Sequence, residues 1–460
     1  MNASHVVAGL WQSAGLPGEA LAHLSLTGSE PVLPSSFAVG TAAQSSIAAA
    51  ALAACELGHA RGVPRQGVAV DMAHAAIECT GWFSLDGQVP EAWDPISGLY
   101  RCADGHVRIH ANFAHHREGA LRLLGLDPAL ATRAEAQDAL LQWQALDFEN
   151  AAAERGLVAS ALRSFAQWDA TPQGRALAGQ PLFTIERTGD AAPLALPPLA
   201  ADERPLTGLR VLDLTRVLAG PVGGKALAAH GADVLLVNSP ALPNIAAIAD
   251  TSRGKLSTHI DLRSTDGAAT LGQLVRDAHV FVQGYRPGGV AQLGFGSQAL
   301  ARMRPGIVAV SLTAYGTQGP WSTRRGFDSL VQTATGFNVD EGAAFGDPDR
   351  PRALPMQILD EATGYLIAFG AAAALWRQQR EGGSWHVQVS LAQTGRWLRA
   401  LGRVPVQPQG AWPDIEPYAE TSVSGFGELR ALRHSAQLSR TPAAWPRPSM
   451  PPGTHPPRWP

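Results

Sequence analysis

The sequence of 460 residues is poor in charged residues and in cysteine. Aspartate, glutamate, lysine and arginine make up 16% of it, against about a quarter in an average soluble protein. Since 45% of the residues are hydrophobic, the chain can bury a large core, and the composition excludes a largely disordered protein. The three cysteines, Cys55, Cys79 and Cys102, form neither a disulfide scaffold nor a pair at metal-ligand spacing, which indicates a reducing compartment.

The sequence also lacks an excess of positive charge and a long apolar run near its start. The net charge of −3 excludes a strongly basic nucleic-acid-binding surface. No basic region is followed by an apolar segment near residue 1, and the alanine-rich run 47–55 is shorter than the roughly 20 residues of a membrane span. We therefore expect a cytoplasmic protein with no membrane or nucleic-acid partner.

Composition divides the chain into three regions. Residues 1–200 are rich in alanine and leucine, residues 205–402 alternate apolar runs with helical patterns, and residues 403–460 are rich in proline. Because proline disfavours helices and central strands, we expect the last region to pack on the main domain as an extended tail.

The middle region predicts an α/β fold. Apolar runs at 209–214, 232–237, 279–282 and 307–312 are separated by helix-like segments, which is typical of a doubly wound, mostly parallel, Rossmann-like sheet. Ligands bind such sheets beyond the carboxyl ends of the strands, where loops 216–224 and 284–289 would lie. The glycines of loop 216–224 lack the spacing of a dinucleotide fingerprint and alone indicate only a tight turn.

A long helical pattern follows Asp360, which the sequence predicts to be the N-cap residue. An aspartate there can act simply as a cap, contributing about 1 kcal/mol. It can also be an ionised nucleophile toward an activated acyl group, with the amides of the same turn stabilising an oxyanion. Position alone does not decide between the two roles.

Residues 205–403 resemble the family III CoA-transferases, the group that includes formyl-CoA transferase. The resemblance is carried, in family order and with few gaps, by segments 206–215, 217–221, 231–234, 253–255, 260–263, 285–288, 311–316, 319–320 and 326–328, and by Asp360 with its helix and the strand 387–391. It implies the family fold: a Rossmann-like domain with a smaller α+β domain.

The resemblance also implies a set of site residues. Asp360 matches the catalytic nucleophile, with Asp328 and Glu361 as its neighbours in the active site. The implied contacts to CoA are Val217, Leu218, Ala219, Ile260, Arg263, Arg286 and Arg325. Each arginine is equally compatible with a solvated surface position. The chain differs from the family's common residues at Leu218, Asn238, Ser239, Gly284 and Gln292.

Residues 1–200 resemble the family's C-terminal half, so the usual order of the two regions is reversed. Superposing 66–72 on 385–391 gives an offset of 319 residues, at which Thr41 takes the position of Asp360. The first copy therefore lacks the nucleophile, and we expect one site per chain.

The resemblance implies an enzyme that transfers CoA from an acyl-CoA to a small carboxylic acid through an aspartyl anhydride and an aspartyl-CoA thioester. No metal or organic cofactor is expected, and the resemblance implies a homodimer. Three alternatives stay open. An acyl-CoA racemase of the same superfamily is disfavoured, because Phe327 stands where those enzymes have a histidine. A non-catalytic CoA-binding scaffold and a metal enzyme using His110, His115 and His116 are the others.

Overall fold

The computed structural model describes residues 2–406 and 412–460. Its strands, in chain order, are β1 Leu24–Thr27, β2 Val68–Asp71, β3 Phe83–Leu85, β4 Gly98–Arg101, β5 His106–Ile109, β6 Ala159–Ala161, β7 Phe183–Gly189, β8 Arg210–Leu214, β9 Asp233–Asn238, β10 Lys255–His259, β11 Val280–Gln283, β12 Val308–Thr313, β13 Ser384–Ser390, β14 Ala419–Ser424, β15 Gly427–Leu432 and β16 Ala436–Leu438.

The α-helices of the same residues are α1 Ala3–Ala14, α2 Val39–Ala60, α3 Met72–Glu78, α4 Ala114–Leu123, α5 Arg133–Leu140, α6 Ala145–Glu154, α7 Phe165–Asp169, α8 Pro172–Ala178, α9 Ala219–Ala229, α10 Ile248–Thr251, α11 Thr265–Arg276, α12 Ser297–Met303, α13 Asp328–Thr335, α14 Phe337–Ala344, α15 Ile358–Glu381 and α16 Leu391–Ala400. Short 3₁₀ turns lie at Gly18–His23 and Glu416–Tyr418, and one π-helical turn at Ala291–Phe295.

The large sheet has the strand order β10-β9-β8-β11-β12-β13-β7. Its first six strands are parallel, and β7 pairs antiparallel with β13 at one edge. The predicted doubly wound, mostly parallel sheet is confirmed. From β8 the chain adds β9 and β10 on one side and then β11, β12 and β13 on the other, so the strand order reverses between β8 and β11. The loops after these two strands therefore meet at the switch point where ligands bind such sheets.

The strands at the centre of the sheet are apolar because helices cover both faces. The edge strand β10, with the sequence Lys-Leu-Ser-Thr-His, is more polar, although most of its residues are buried. The Lys255 ammonium is fully buried, lies 2.8 Å from the Asp213 carboxylate of β8 and donates to the Pro221 carbonyl at 2.7 Å. This hydrogen-bonded, buried ion pair links the edge strand β10 to β8, near the centre of the sheet.

Helices α2 and α15 pack against each other and form the middle of the main core. Helix α15 has the length and hydropathy of a membrane span, and its most apolar window is entirely buried inside the protein. Its glycines permit close approach to α9: a Cβ on Gly364 would lie 2.7 Å from the Ala219 carbonyl oxygen, and one on Gly223 would lie 2.9 Å from the Gly364 carbonyl oxygen.

The internal repeat extends to the element boundaries. Helices α2 and α15 begin at Val39 and Ile358, and the strands that follow them, β2 and β13, end at Asp71 and Ser390. Each pair is 319 residues apart. Thr41 is the third residue of its helix, as Asp360 is of the other, and its N–H donates to the Glu30 carboxylate at 2.7 Å.

Residues 1–200 are distributed over several sheets, in contrast to the single region predicted. Strands β4, β5 and β6 form a small α+β lobe with helices α4, α5 and α6, and this lobe has its own apolar core. Helices α1 and α2 instead join the main core, and β7 is an edge strand of the large sheet. The small domain is therefore shorter than the region 1–200 that the sequence assigns to it.

The tail contains regular structure despite its prolines. Strands β14 and β15 form a hairpin that pairs with β3, and β16 pairs antiparallel with β2. Most of the tail's prolines follow these strands, at 442–460. In that segment Trp445 donates to the Lys225 carbonyl at 2.9 Å and Trp459 to the Leu274 carbonyl at 3.2 Å. The tail thus holds the N-terminal segment and the large sheet together.

Candidate active site

A cavity of about 370 Å³ lies at the switch point of the large sheet. The loop after β8 contributes Arg216, Val217 and Leu218, and the loop after β11 contributes residues 284–287. The two loops therefore meet beyond the strand ends, as the sequence predicts. Asp360, from the start of α15, lines the same cavity.

Val217 has an unusual backbone conformation. Its φ of 74° lies in the left-handed region, which a β-branched residue rarely adopts. Such a conformation costs about 1–3 kcal/mol and occurs most often at functional sites, where the surrounding structure maintains it. Here it directs the chain into α9, whose first turn has no side-chain cap. Leu218, the N-cap residue, and Ala219 follow Val217 along the cavity wall.

Asp360 is the third residue of α15 and not its N-cap residue, which corrects the sequence prediction. Helix α15 begins at Ile358 after Gln357, which makes no side-chain capping bond. The cap comes instead from Asp328, the first residue of α13: its carboxylate accepts from the Asp360 N–H at 2.9 Å. Asp360 is therefore relieved of capping, and its side chain lines the cavity.

Burial raises the pKa values of both carboxyl groups, and the charge of Asp328 adds to the rise at Asp360. Asp328 is 1% exposed, and burial is the main cause that raises its pKa to about 7, although hydrogen bonds from the Asp360 N–H and the Gln332 amide oppose this. Burial and the neighbouring Asp328 raise the pKa of Asp360 well above its usual range. The helix position of Asp360 predicts an ionised carboxylate, whereas the raised pKa values favour the protonated form of Asp360.

Asp360 also lines a second cavity, of about 630 Å³, on its other side. Val217, Leu218 and Phe327 border both cavities, so these residues and Asp360 form the boundary between them. The second cavity is walled by residues of segments 80–83, 90–94, 244–247 and 355–357, together with His110, Asn112 and Ser329. Asp360 can thus contact ligand groups that enter from two directions.

The first cavity is basic. Arg216, Arg286, Arg324 and Arg325 all line it. Arg325 donates to the Gly156 carbonyl at 2.9 Å and lies 3.3 Å from His116 Nε2, so it is held against the small lobe. Burial is the main cause that lowers the pKa of His116, to about 3, so this imidazole adds no charge at neutral pH. The cavity offers guanidinium groups suited to phosphate or carboxylate oxygens.

The structure brings together most of the predicted residues. Val217, Leu218, Ala219, Arg286, Arg325 and Asp360 line the first cavity, and Asp328 lies directly behind Asp360. Ile260 is different, because it is 5% exposed in the apolar core beside α11. Arg263 has a 69% exposed side chain paired with Asp261 at 2.9 Å and does not line the cavity.

Glu361 is turned away from both cavities. It is 3% exposed, its Oε1 lies 3.4 Å from the position of a Cβ on Gly81, and burial raises its pKa well above its usual range. The Lys225 ammonium opposes that rise and itself pairs with Asp250 at 2.6 Å. Glu361 therefore belongs to a buried polar cluster with Lys225 and Asp250, and it lines neither cavity.

Residues between 80 and 116 complete the site, and sequence reasoning did not assign them to it: it weighed His110, His115 and His116 only as metal ligands. Phe113 and His115 line the first cavity, and Trp93 and His110 line the second. The His110 ring stacks on Phe327, with ring centroids 3.9 Å apart. The density of aromatic and histidine residues at 110–116 was the available signal. Within residues 2–406 and 412–460, no group of three or more His, Cys, Asp or Glu side chains has metal-binding geometry.

Comparison with known proteins places this geometry in a family context. The family model described as CoA-transferase family III matches residues 206–403. The chain is 33% identical over 312 residues to an acyl-CoA transferase of Gibberella moniliformis, with 64% of this chain and 55% of that protein covered. It is 32% identical over 264 residues to succinate–glutarate CoA-transferase of Agrobacterium fabrum, with 51% and 65% covered. The chain thus spans 55% of the length of the first relative and 65% of the second.

Proposed function

We propose that this chain, whose residues 206–403 match the model of CoA-transferase family III, transfers CoA from an acyl-CoA to a carboxylic acid, with Asp360 as the nucleophile. The observation that carries the proposal is the position of Asp360 on the boundary of a basic and a second, separate cavity. One cavity would hold the CoA moiety and the other the acyl group.

The reaction needs two exchanges at the Asp360 carboxyl group. The Asp360 carboxylate attacks the thioester carbonyl, the C–S bond breaks, and an aspartyl anhydride and a CoA thiolate result. The thiolate attacks the aspartyl carbonyl, which forms aspartyl-CoA thioester and releases the donor acid as its carboxylate. The acceptor carboxylate then reverses these two steps. Dividing one acyl exchange into activated steps is the advantage of a covalent intermediate, and no metal or organic cofactor takes part.

The raised pKa of Asp360 supports its role as the nucleophile. A carboxylate is more nucleophilic when it is desolvated and its conjugate acid is weaker. Asp328 holds the Asp360 N–H at 2.9 Å and so fixes the orientation of the first turn of α15. The uncapped amides at the start of α9 would stabilise the oxyanions that form during each attack.

The basic cavity supports binding of a CoA phosphate or diphosphate. Arg286 and Arg325 both line this cavity, from the loop after β11 and the segment before α13. We assign them to phosphate contacts. Arg263 and Ile260 stay predictions from the family resemblance, because neither lines the cavity. The homodimer likewise stays a prediction, which light scattering of the purified protein would check.

The experiment that tests the proposal is intact-mass analysis of the protein after brief mixing with a set of acyl-CoAs. We expect one covalent adduct per chain, absent in Asp360→Asn and retained in Asp340→Asn, a matched change at a half-exposed aspartate paired with Arg403. No adduct with any acyl-CoA, together with no heat of CoA binding in calorimetry, would remove the basis for the transferase.

A second candidate, an acyl-CoA racemase, is favoured by one observation. His110 stacks on Phe327 and lines the second cavity with Asp360. A histidine therefore lies beside position 327, where the racemases have theirs. Burial lowers the pKa of His110 to about 4, so its imidazole is neutral at pH 7 and available as a base. Exchange of the α-proton of a 2-methylacyl-CoA in D₂O, lost in His110→Gln, would support this activity; absence of exchange would reject it.

A further inference from the structure

The two cavities that meet at Asp360 differ in charge. Four arginines line the first cavity. Among the residues that the structure describes, those lining the second cavity include no arginine or lysine, while Glu91, Asp94 and Asp360 all border it. Arg117, 3.6 Å from Asp94, is not part of the lining.

The remaining wall of the second cavity is mainly apolar. Its apolar part is formed by Phe83, Trp93, Ile245, Phe327 and Met356, together with alanine, glycine, proline, valine and leucine residues. Uncharged polar side chains complete the lining: Thr80, His110, Asn112, Asn244, Ser329 and Gln357. Trp93 is 41% exposed, and its ring meets His110 edge-on at 5.9 Å. The neutral His110 adds no positive charge, since burial keeps its pKa at about 4. A ligand in this cavity therefore gains from burial of apolar surface, whereas a negative charge finds uncharged hydrogen-bond donors and no cation among the described lining residues.

We propose that the second cavity selects apolar monocarboxylic acyl groups and rejects dicarboxylic ones. This inference rests on the proposed transferase function and names the substrate class of the same site. A succinyl or glutaryl group would bring its distal carboxylate into a cavity that Glu91, Asp94 and Asp360 border and whose described lining includes no cation. An alkyl or aryl chain of the same length meets no such cost.

Pentanoyl-CoA and glutaryl-CoA test the proposal, because they have chains of equal length and differ in the distal methyl or carboxylate group. We expect the adduct on Asp360 to form with pentanoyl-CoA at least about tenfold faster than with glutaryl-CoA, as measured by rapid-quench intact mass at pH 7. The same order is expected when pentanoate and glutarate compete as acceptors.

The matched variants are Ala246→Arg and Ala246→Gln. Ala246 is exposed and lines the second cavity as part of segment 244–247, apart in sequence from the Glu91–Asp94 loop. Ala246→Arg supplies a cation and is expected to reduce the preference for pentanoyl-CoA severalfold, whereas Ala246→Gln, of similar length and without charge, leaves it unchanged.

The outcomes separate the two proposals. Equal or faster labelling by glutaryl-CoA would overturn the substrate assignment and leave the transferase supported. Equal effects of the arginine and glutamine variants would also overturn it, because the selection would then not depend on charge. Absence of an adduct with every acyl-CoA would overturn the transferase, and the substrate assignment with it.

Discussion

Replacing Asp328 with asparagine isolates the energetic cost of the buried carboxyl group behind Asp360. Asparagine keeps an oxygen that can accept from the Asp360 N–H and removes the titrating group. The folded-state pKa of Asp328, about 7, lies above the usual value of 3.8, mainly because the group is buried. The stability that this group contributes is therefore fully present below pH 4 and is lost as the pH rises through 7.

The magnitude follows from the two pKa values. Each pH unit in this window changes the free energy of unfolding by about 1.4 kcal/mol, so the full difference is about 4 kcal/mol and the part between pH 5 and pH 8 is about 3 kcal/mol. The advantage of wild type over Asp328→Asn is therefore expected to fall by about 3 kcal/mol between pH 5 and pH 8. Urea unfolding followed by tryptophan fluorescence at both pH values measures it.

Asp328→Ala serves as the control for the capping bond. It removes the acceptor of the Asp360 N–H as well as the charge, and we expect a further loss of about 1 kcal/mol that does not vary with pH. In the adduct assay, Asp328→Asn removes the negative charge that raises the pKa of Asp360, so the rate should rise at lower pH than in wild type. A stability difference independent of pH would refute the reasoning, because Asp328 would then be ionised throughout.

Three further predictions concern the structure around the site. Val217→Gly is expected to be about 1 kcal/mol more stable than Val217→Ala by urea unfolding, because the φ of 74° suits glycine; the reverse order would show that the loop changes conformation on substitution. Gly364→Ala is expected to destabilise by about 1–3 kcal/mol and to slow adduct formation, since its Cβ would lie 2.7 Å from the Ala219 carbonyl oxygen, whereas Gly272→Ala, with open space around it, should be neutral or stabilising; equal effects would contradict the close packing. Lys255→Met is expected to destabilise by about 3–5 kcal/mol because it leaves Asp213 buried without its cation, and Asp213→Leu in addition should restore much of that loss; no rescue in the double variant would place the cost elsewhere.

The parts of the fold that the sequence predicts well are those in which local pattern and final position agree. The apolar runs at 209–214, 232–237, 279–282 and 307–312 became β8, β9, β11 and β12 with shifts of about one residue at their ends. Strand β10 escaped prediction because its lysine, serine and threonine side chains are buried polar groups with partners on other elements. No local pattern reveals a partner more than forty residues away.

The site shows the same limit. The position of Asp360 on the first turn of its helix follows from the sequence, but its assignment as the cap does not hold, because Asp328 supplies the cap from 32 residues upstream. The raised pKa of Asp360 also depends on that contact, together with burial by the surrounding core. Trp93 and His110 joined the site only through tertiary packing of a region that precedes the large sheet in the chain.

The repeated helix has a consequence for the stoichiometry of labelling. The protein carries two long core helices in equivalent positions, and the third residue of each has its N–H bound by a carboxylate, from Glu30 in one case and Asp328 in the other. Only one of the two positions carries a carboxyl group of its own, because Thr41 stands in the first. A chain built on two such helices should therefore reach saturation at one mole of covalent adduct per mole of polypeptide, half the value that its internal symmetry alone would suggest.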